Sequence, residues 1–243
     1  IHEASHFDNS PRRTWHYCAK SGVHSRKSPI AAIVPTTMTK AVLFDMGQVL
    51  VHYDHALTIA GLAAVCGDGS TQPAALARIN TWLSSNSHAL STGRMETEAM
   101  HSLMRTQAGA TESPEAFFNG FCAGLKRNEA ALAYALELEA MPNVLVAVIS
   151  NTNAAHVRWL DAYVPELRSF DLVMMSNEIS IYKPDPAVFR LALELLDVEA
   201  HNALFVDDAA TNVAAAQALG MQGIVHSDWA ITRPRIDAWL EKA

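Results

Sequence analysis

Cysteine and positive charge are both scarce in this sequence. Only three of the 243 residues are cysteines, and no two of them form a CxxC pair. We therefore expect neither a disulfide framework nor a zinc site, and a reducing compartment such as the cytoplasm fits best. The formal net charge of −7 argues against partners such as nucleic acid or an anionic membrane surface. No apolar run is long enough to span a bilayer.

The first 37 residues differ in composition from the rest of the chain. They carry a net charge of +3, whereas the remaining residues carry −10. Three prolines interrupt them, and they show no hydrophobic period. These features are typical of disordered segments. We expect residues 1–37 to be a disordered N-terminal extension or leader, with an organellar presequence as the alternative.

Beyond residue 128, short apolar runs alternate with segments of helical spacing. Together with the first apolar run, the predicted strands are 41–44, 144–149, 172–175, 203–206 and 223–225. The predicted helices between and after them are 129–140, 154–161, 186–196, 209–219 and 232–241. Strands that alternate with helices through short connections form parallel sheets covered on both faces. The sequence therefore predicts a Rossmann-like α/β fold with a doubly wound parallel sheet.

A block of helical spacing follows the first strand. Its predicted helices are 55–66, 73–87, 94–107 and 113–126, and it contains no predicted strand. A block inserted at this point is expected to form a lid over the carboxyl edge of the sheet. The predicted organisation is a core domain of residues 38–54 and 127–243 with an inserted helical cap of residues 55–126.

The first strand delivers a carboxylate to the edge where open parallel sheets bind ligands. Asp45 follows the apolar run Ala41-Val42-Leu43-Phe44, and the chain then turns at Gly47. A carboxylate in this place can act as a nucleophile or as a metal ligand. A turn residue or a helix cap is the plainer interpretation of Asp45 taken alone.

Three further strand ends carry polar residues. Ser150 and Asn151 lie just before a helix N-terminus, which suits an anion such as phosphate. Lys183 lies between a strand and a helix. Asp207 and Asp208 follow a buried strand, where adjacent carboxylates repel each other and a divalent cation would relieve the repulsion. Helix caps and a solvated lysine are the plainer alternatives.

In this order, the four strand ends resemble the haloacid dehalogenase (HAD) superfamily. The matching motifs are Phe44-Asp45-x-Gly47-x-Val49, Ser150-Asn151, Lys183-Pro184 and Asp207-Asp208-x-x-x-Asn212. The resemblance covers residues 41–243 and implies a HAD core with a helical cap inserted after the first motif. Within the superfamily, the motifs are similar to those of bacterial α-D-glucose-1-phosphate phosphatases.

The resemblance implies a metal-dependent nucleophile. Asp45 would attack phosphorus and form an aspartyl-phosphate intermediate. The carboxylates of Asp45 and Asp208 and the carbonyl of Gly47 would hold Mg²⁺. Asp207 would bind the ion directly or orient its ligands.

The same resemblance implies a phosphate site. Ser150 and the Asn151 amide would bind the phosphoryl oxygens, and Lys183 would neutralise charge on the nucleophile and the phosphoryl group. Asn212 would orient Asp208 or Lys183. The implied function is a Mg²⁺-dependent phosphatase for a small phosphorylated metabolite, acting as a monomer or homodimer.

One position departs from the family pattern. Most phosphatases of the superfamily carry a second Asp two residues after the nucleophile, as general acid and base, where this chain has Gly47. The loss of a general acid typically costs about 10²–10⁴ in rate. The cost is smaller for stable leaving groups, which favours sugar 1-phosphates. The cap residues that could supply a proton instead are His52, His55, His88 and Arg94.

Two alternatives remain open at this stage. A 2-haloacid dehalogenase would use Asp45 as nucleophile without metal, although the pair Asp207-Asp208 would then hinder attack on an anionic substrate. A catalytically weak binding protein of the same fold is the other alternative, and Gly47 is its main support.

Overall fold

The computed structural model describes residues 39–65, 72–109 and 112–242. The predicted N-terminal extension lies outside the described residues. The strands are β1 Lys40–Phe44, β2 Val51–Tyr53, β3 Leu125–Arg127, β4 Val144–Ser150, β5 Leu172–Met175, β6 Ala203–Asp207 and β7 Gln222–Val225. The α-helices are α1 His55–Ala64, α2 Gln72–Ser91, α3 Thr97–Ala108, α4 Pro114–Phe121, α5 Glu129–Glu139, α6 Ala154–Tyr163, α7 Ser176–Ile179, α8 Pro186–Leu196, α9 Ala210–Gln217 and α10 Trp229–Leu240.

A parallel five-stranded sheet has the order β5-β4-β1-β6-β7. The chain leaves β1 on one side through β4 and β5, and then returns to its other side through β6 and β7. The carboxyl ends of β1, β4 and β6 therefore meet where the direction of winding switches, which is the usual ligand site of an open α/β sheet.

Alternation along β1 explains why both faces of the sheet are covered. Val42 and Phe44 belong to a core shared with α5, α6 and α10, whereas Ala41 and Leu43 belong to a core shared with α8 and α9. All four side chains are fully buried. A strand that is apolar on both faces is typical of a parallel sheet between two layers of helices. This arrangement confirms the predicted Rossmann-like, doubly wound α/β fold.

Helices α1–α4, which we call the inserted helices, lie between β2 and β3 in the chain. They share a core that includes Leu62, Ile79 and Phe117, and Ala155 of α6 also belongs to it. A further contact with the sheet domain lies at the end of α2, where the Ser180 hydroxyl donates to the Thr92 carbonyl at 3.0 Å. The division of the chain into core and cap domains stays a prediction.

The prediction of one continuous helix over 113–126 is wrong. Helix α4 ends at Phe121, and β3 pairs antiparallel with β2. Gly124 passes so close to Asp54 that an added Cβ would lie 2.1 Å from the Asp54 carbonyl oxygen. Helical spacing could not reveal this pairing, because it joins segments on either side of the inserted helices. The short helix α7 was not predicted either.

In the described part of the chain, no helix combines the length and the apolar character needed to cross a membrane.

Candidate active site

A buried lysine joins two of the four motifs. The Lys183 Nζ atom lies 2.6 Å from Oδ1 of Asp45 and 2.7 Å from Oδ2 of Asp207. The side chains of Lys183 and Asp207 are 1% and 0% exposed. A solvated surface lysine, the plainer alternative for Lys183, is therefore wrong. The ammonium group offsets part of the negative charge that β1 and β6 bring to this edge.

Asn151 fixes the backbone of Lys183. Its Oδ1 accepts a hydrogen bond from the Lys183 N–H at 2.8 Å, and its Nδ2 donates to the Lys183 carbonyl at 2.8 Å. The peptide bond between Lys183 and Pro184 is cis. The side-chain amide of Asn151 is thus engaged with the lysine loop. A contact between Asn151 and the phosphoryl group remains a prediction. Because the side-chain amide is already engaged, the backbone amide of Asn151 would make this contact.

Asn212 and the start of α9 hold the Asp207 carboxylate. Asn212 Nδ2 lies 3.0 Å from each Asp207 oxygen, and the Ala209 N–H donates to Oδ1 at 2.8 Å. The resemblance implies Asp208 or Lys183 as the partner of Asn212, whereas the observed partner is Asp207. With Lys183 on its other oxygen, Asp207 is a fully buried and fully hydrogen-bonded carboxylate.

Three carboxylates at this edge could share one cation. Asp45, Asp207 and Asp208 each offer an oxygen, and these oxygens lie within 4.8 Å of one another. Burial raises the pKa of Asp45 to about 6 against the opposing charge of Lys183, and the Asp207 carboxylate adds to the rise. Desolvation and the charge of Asp207 also raise the pKa of Asp208. The set carries more negative charge than Lys183 alone offsets, and an all-oxygen donor set suits Mg²⁺.

The turn after β1 orients the Asp45 carboxylate. The Met46 N–H donates to Oδ1 of Asp45 at 2.7 Å. Gln48 adopts a left-handed backbone with φ 61°, whereas the φ of Gly47 is not positive. A Cβ added at Gly47 would have no other atom within 4 Å. The backbone therefore does not require glycine at the position of the missing general acid.

A cavity of about 220 Å³ opens beside this turn. Its polar lining includes Ser150 and Asn151, and their binding of phosphate stays a prediction. Tyr53 and His156 also line it, together with Ser91 at the end of α2. The expected proton donors His52, His55, His88 and Arg94 are not among the described residues that line it.

His156 is the residue that sequence reasoning missed. It lies on α6, the helix that follows the Ser150-Asn151 motif. The pattern placed this helix correctly, and the first two turns after a strand end could have been searched for side chains that face the site. Nothing in the sequence shows which of them does so, because that depends on how Tyr53 and Phe121 pack against the ring.

Two known proteins are similar to this chain in amino-acid sequence. The chain is 28% identical to the sesquiterpene phosphatase astK of Aspergillus oryzae over 196 residues, which cover 79% of this chain and 92% of that protein. It is 35% identical to mouse acyl-CoA dehydrogenase family member 10 over 74 residues, which cover 30% of this chain and 7% of that protein.

A solved structure shares the fold. It is the HAD family enzyme bt-2542 of Bacteroides thetaiotaomicron in complex with magnesium and inorganic phosphate. The two structures superpose with a TM-score of 0.67 at 21% identity, over 79% of this chain and 98% of that one. The family model of haloacid dehalogenase-like hydrolases matches residues 39–220, which include all four motifs. This chain belongs to the haloacid dehalogenase-like hydrolases.

Proposed function

We propose that this protein is a Mg²⁺-dependent phosphatase that hydrolyses small phosphate monoesters through an aspartyl-phosphate intermediate. The convergence of Asp45, Lys183 and the Asp207-Asp208 pair beside the cavity lined by Ser150 carries the proposal. The kinship with a phosphatase and the magnesium and phosphate bound to bt-2542 support it.

The carboxylates of Asp45 and Asp208 and the Gly47 carbonyl would hold the ion. Asp207 has a different part, because both of its oxygens already accept hydrogen bonds from Lys183, Asn212 or the Ala209 N–H. It would fix the geometry of the ligands around it. When bound, Mg²⁺ would neutralise charge and polarise a phosphoryl oxygen.

The hydrogen bonds of Asp45 support the choice of one oxygen as the nucleophile. Oδ1 is occupied by Lys183 and by the Met46 N–H. Oδ2 would form the bond to phosphorus while the bond to the ester oxygen breaks, and the leaving group would depart as an alkoxide that takes a proton from solvent water. Water would then attack the same phosphorus and release inorganic phosphate, which restores the Asp45 carboxylate. Lys183 would stabilise the negative charge throughout.

The substrate is the finer part of the proposal. Gly47 supplies no proton to the leaving group, so leaving groups that are stable as anions, such as that of a sugar 1-phosphate, are favoured. A likeness to α-D-glucose-1-phosphate phosphatases remains part of this proposal. Ser91 on α2 lines the cavity, which supports a cap role for the inserted helices. We keep the cytoplasm and a monomer or homodimer as predictions.

The dehalogenase alternative is disfavoured by charge. Without a cation, an incoming 2-haloacid would meet the carboxylates of Asp45, Asp207 and Asp208 with only Lys183 to offset them. The binding-protein alternative rests on Gly47, but it leaves the paired Asp45 and Lys183 without a role.

A panel of substrates tests the proposal. Purified protein is assayed with p-nitrophenyl phosphate, glucose 1-phosphate and 2-chloropropionate, each with Mg²⁺ and each with EDTA. We expect phosphate release that requires Mg²⁺ and returns when Mg²⁺ replaces EDTA. Chloride release that EDTA leaves undiminished would establish the dehalogenase instead, and the absence of turnover on every ester would favour the binding protein.

A further inference from the structure

Tyr53 lines the catalytic cavity together with Gly47 and Ser150. It ends β2, and its backbone is tied to the turn after β1, because Nε2 of Gln48 donates to the Tyr53 carbonyl at 2.8 Å. Its ring packs edge-on against the His156 ring at a centroid distance of 5.5 Å. The half-buried Tyr53 side chain therefore borders the same cavity as position 47, where the general acid and base of the family pattern is missing.

Two hydrogen bonds connect Tyr53 with the inserted helices. The Tyr53 hydroxyl lies 3.2 Å from Nδ1 of His55, the first residue of α1, and Nε2 of His55 lies 3.4 Å from Oδ1 of Asn80 on α2. An amide oxygen can only accept, so Nε2 carries the proton and Nδ1 offers a lone pair. The Tyr53 hydroxyl therefore donates to His55, and its oxygen keeps lone pairs that can accept a proton.

This order of donors suits the removal of a proton from water. Hydrolysis of the aspartyl-phosphate is helped by a base, and Gly47 offers none. A proton can pass from water to the Tyr53 oxygen while the Tyr53 hydroxyl proton passes to Nδ1 of His55. The imidazolium that results keeps its Nε2–H on the Asn80 oxygen, as a base is oriented by a third group in other enzymes. Since His55 is exposed, it returns its extra proton to solvent.

We propose that Tyr53 and His55 together remove a proton from the water that hydrolyses the aspartyl-phosphate intermediate. The water oxygen forms its bond to phosphorus as the bond from phosphorus to Asp45 breaks, and the proton moves through Tyr53 to His55. Tyr53 is then a catalytic residue, whereas His55 and Asn80 are positioning residues that act through it. This inference rests on the proposed phosphatase function and supplies the base that position 47 lacks.

The test separates the two halves of the reaction. With p-nitrophenyl phosphate, phosphorylation of the enzyme releases nitrophenolate without protonation, so only hydrolysis of the intermediate should depend on Tyr53. Enzyme turning over a saturating ester, labelled in its phosphate, is quenched in acid, and the fraction trapped as phosphoenzyme is measured. The turnover rate divided by this fraction is the rate constant of hydrolysis. The turnover rate divided by the remaining fraction is the rate constant of phosphorylation.

Tyr53→Phe keeps the ring against His156 and removes the hydroxyl. We expect it to raise the trapped fraction and to lower the hydrolysis constant by about 10²-fold, while the phosphorylation constant changes by less than about threefold. The matched control is Tyr163→Phe, which should leave both constants unchanged. The exposed Tyr163 also packs on an aromatic ring, that of Trp159 at 5.1 Å, but it is not among the described residues that line the cavity.

His55→Ala is a second variant with a readout of its own. It should lower the hydrolysis constant by about tenfold or more, and free imidazole should restore part of the loss, because position 55 is exposed. Imidazole would not repair a merely structural defect. The matched control is His201→Ala at another exposed position, where we expect the same constants with and without imidazole.

Three outcomes would overturn the inference. The first is an unchanged turnover rate and trapped fraction in a folded Tyr53→Phe protein. The second is an equal loss in both constants, which would assign Tyr53 to the framework of the cavity. The third is a loss in His55→Ala that imidazole does not restore. If Tyr53→Phe does not fold, His55→Ala decides. The proposed phosphatase function is judged separately, by wild-type turnover of p-nitrophenyl phosphate with and without Mg²⁺.

Discussion

The strand-end site and the inserted helices differ in the kind of side chain that they bring together. The strand ends gather charge in a buried place, where Lys183 and Asp207 are nearly solvent-free and each carboxylate needs a donor or a cation. The inserted helices gather apolar side chains such as Leu62 and Phe117 into a core that Ala155 of α6 also joins. They reach the cavity through Ser91 at the end of α2.

The two regions also differ in the interactions that hold their side chains in place. Groups that would make and break bonds are held by hydrogen bonds to the backbone of the sheet domain, as Asn151 holds Lys183. Where the two regions meet, packed rings hold the side chains instead, as His156 lies between Tyr53 and Phe121. Changes at strand ends should therefore abolish turnover, whereas changes that disrupt the packing at the junction should mainly alter stability.

Asp45→Asn should have the largest effect on activity. The amide cannot act as the nucleophile, and we expect hydrolysis of p-nitrophenyl phosphate to fall by about 10³-fold or more, as when nucleophiles are removed from other enzymes. The control is Asp54→Asn, which makes the same change at the N-cap of α1, where Asn caps equally well. A folded Asp45→Asn protein that keeps more than about a tenth of the wild-type rate would contradict the covalent mechanism.

Asp208→Ala should reduce Mg²⁺-dependent turnover by about 10²-fold, because it removes an exposed ligand from the carboxylate set. Turnover measured against Mg²⁺ concentration distinguishes a loss of affinity from a loss of rate. Glu98→Ala removes one negative charge from an exposed position on α3 and serves as the charge-matched control. The same Mg²⁺ dependence in Asp208→Ala and in the wild type would mean that the ion is held elsewhere.

Gly93→Ala should weaken the contact between the two regions without touching the chemistry. Gly93 has φ 70°, and an added Cβ would lie 1.8 Å from the Asn177 carbonyl oxygen. We expect a loss of about 2–3 kcal/mol in the free energy of unfolding, which lowers Tm by about 4–12 °C.

The matched control for that change is Gly220→Ala. Gly220 has φ 93°, but its added Cβ would meet only the Ala200 Cβ at 3.6 Å. Its cost is the backbone strain alone, about 1 kcal/mol. Thermal melting of both variants measures the difference, and equal decreases in Tm would show that the turn after α2 does not press against Asn177.

Gly47→Asp should produce the smallest effect and the only gain. The position is open and its φ is not positive, so an Asp side chain fits without strain. The new acid can protonate an alkoxide, and nitrophenolate leaves without protonation. We expect kcat/KM for propyl phosphate to rise by about 3–10-fold relative to that for p-nitrophenyl phosphate. An unchanged ratio in a folded, Mg²⁺-binding variant would mean that protonation is supplied elsewhere or is not limiting.

Much of the molecule could be predicted from sequence because its signals are local. Apolar runs such as 144–149 and the helical spacing between them determined the parallel sheet and its two layers of helices. Polar residues directly after these runs identified the site, since parallel strands end at one edge. The prediction that failed, a helix over 113–126, failed where Gly124 brings two distant segments together.

The amino-acid sequence by itself determined which residue types stand at the strand ends and in what order. The tertiary structure alone decided how they pair. Asn151 holds Lys183 across 32 residues of sequence, and Asn212 holds Asp207, where the family resemblance implies Asp208 or Lys183. The physical reason is the separation in sequence over which each kind of interaction acts. Periodicity and capping report on the burial and hydrogen bonding of a few neighbouring residues, whereas a hydrogen bond between loops exists only once the sheet has brought their strands together.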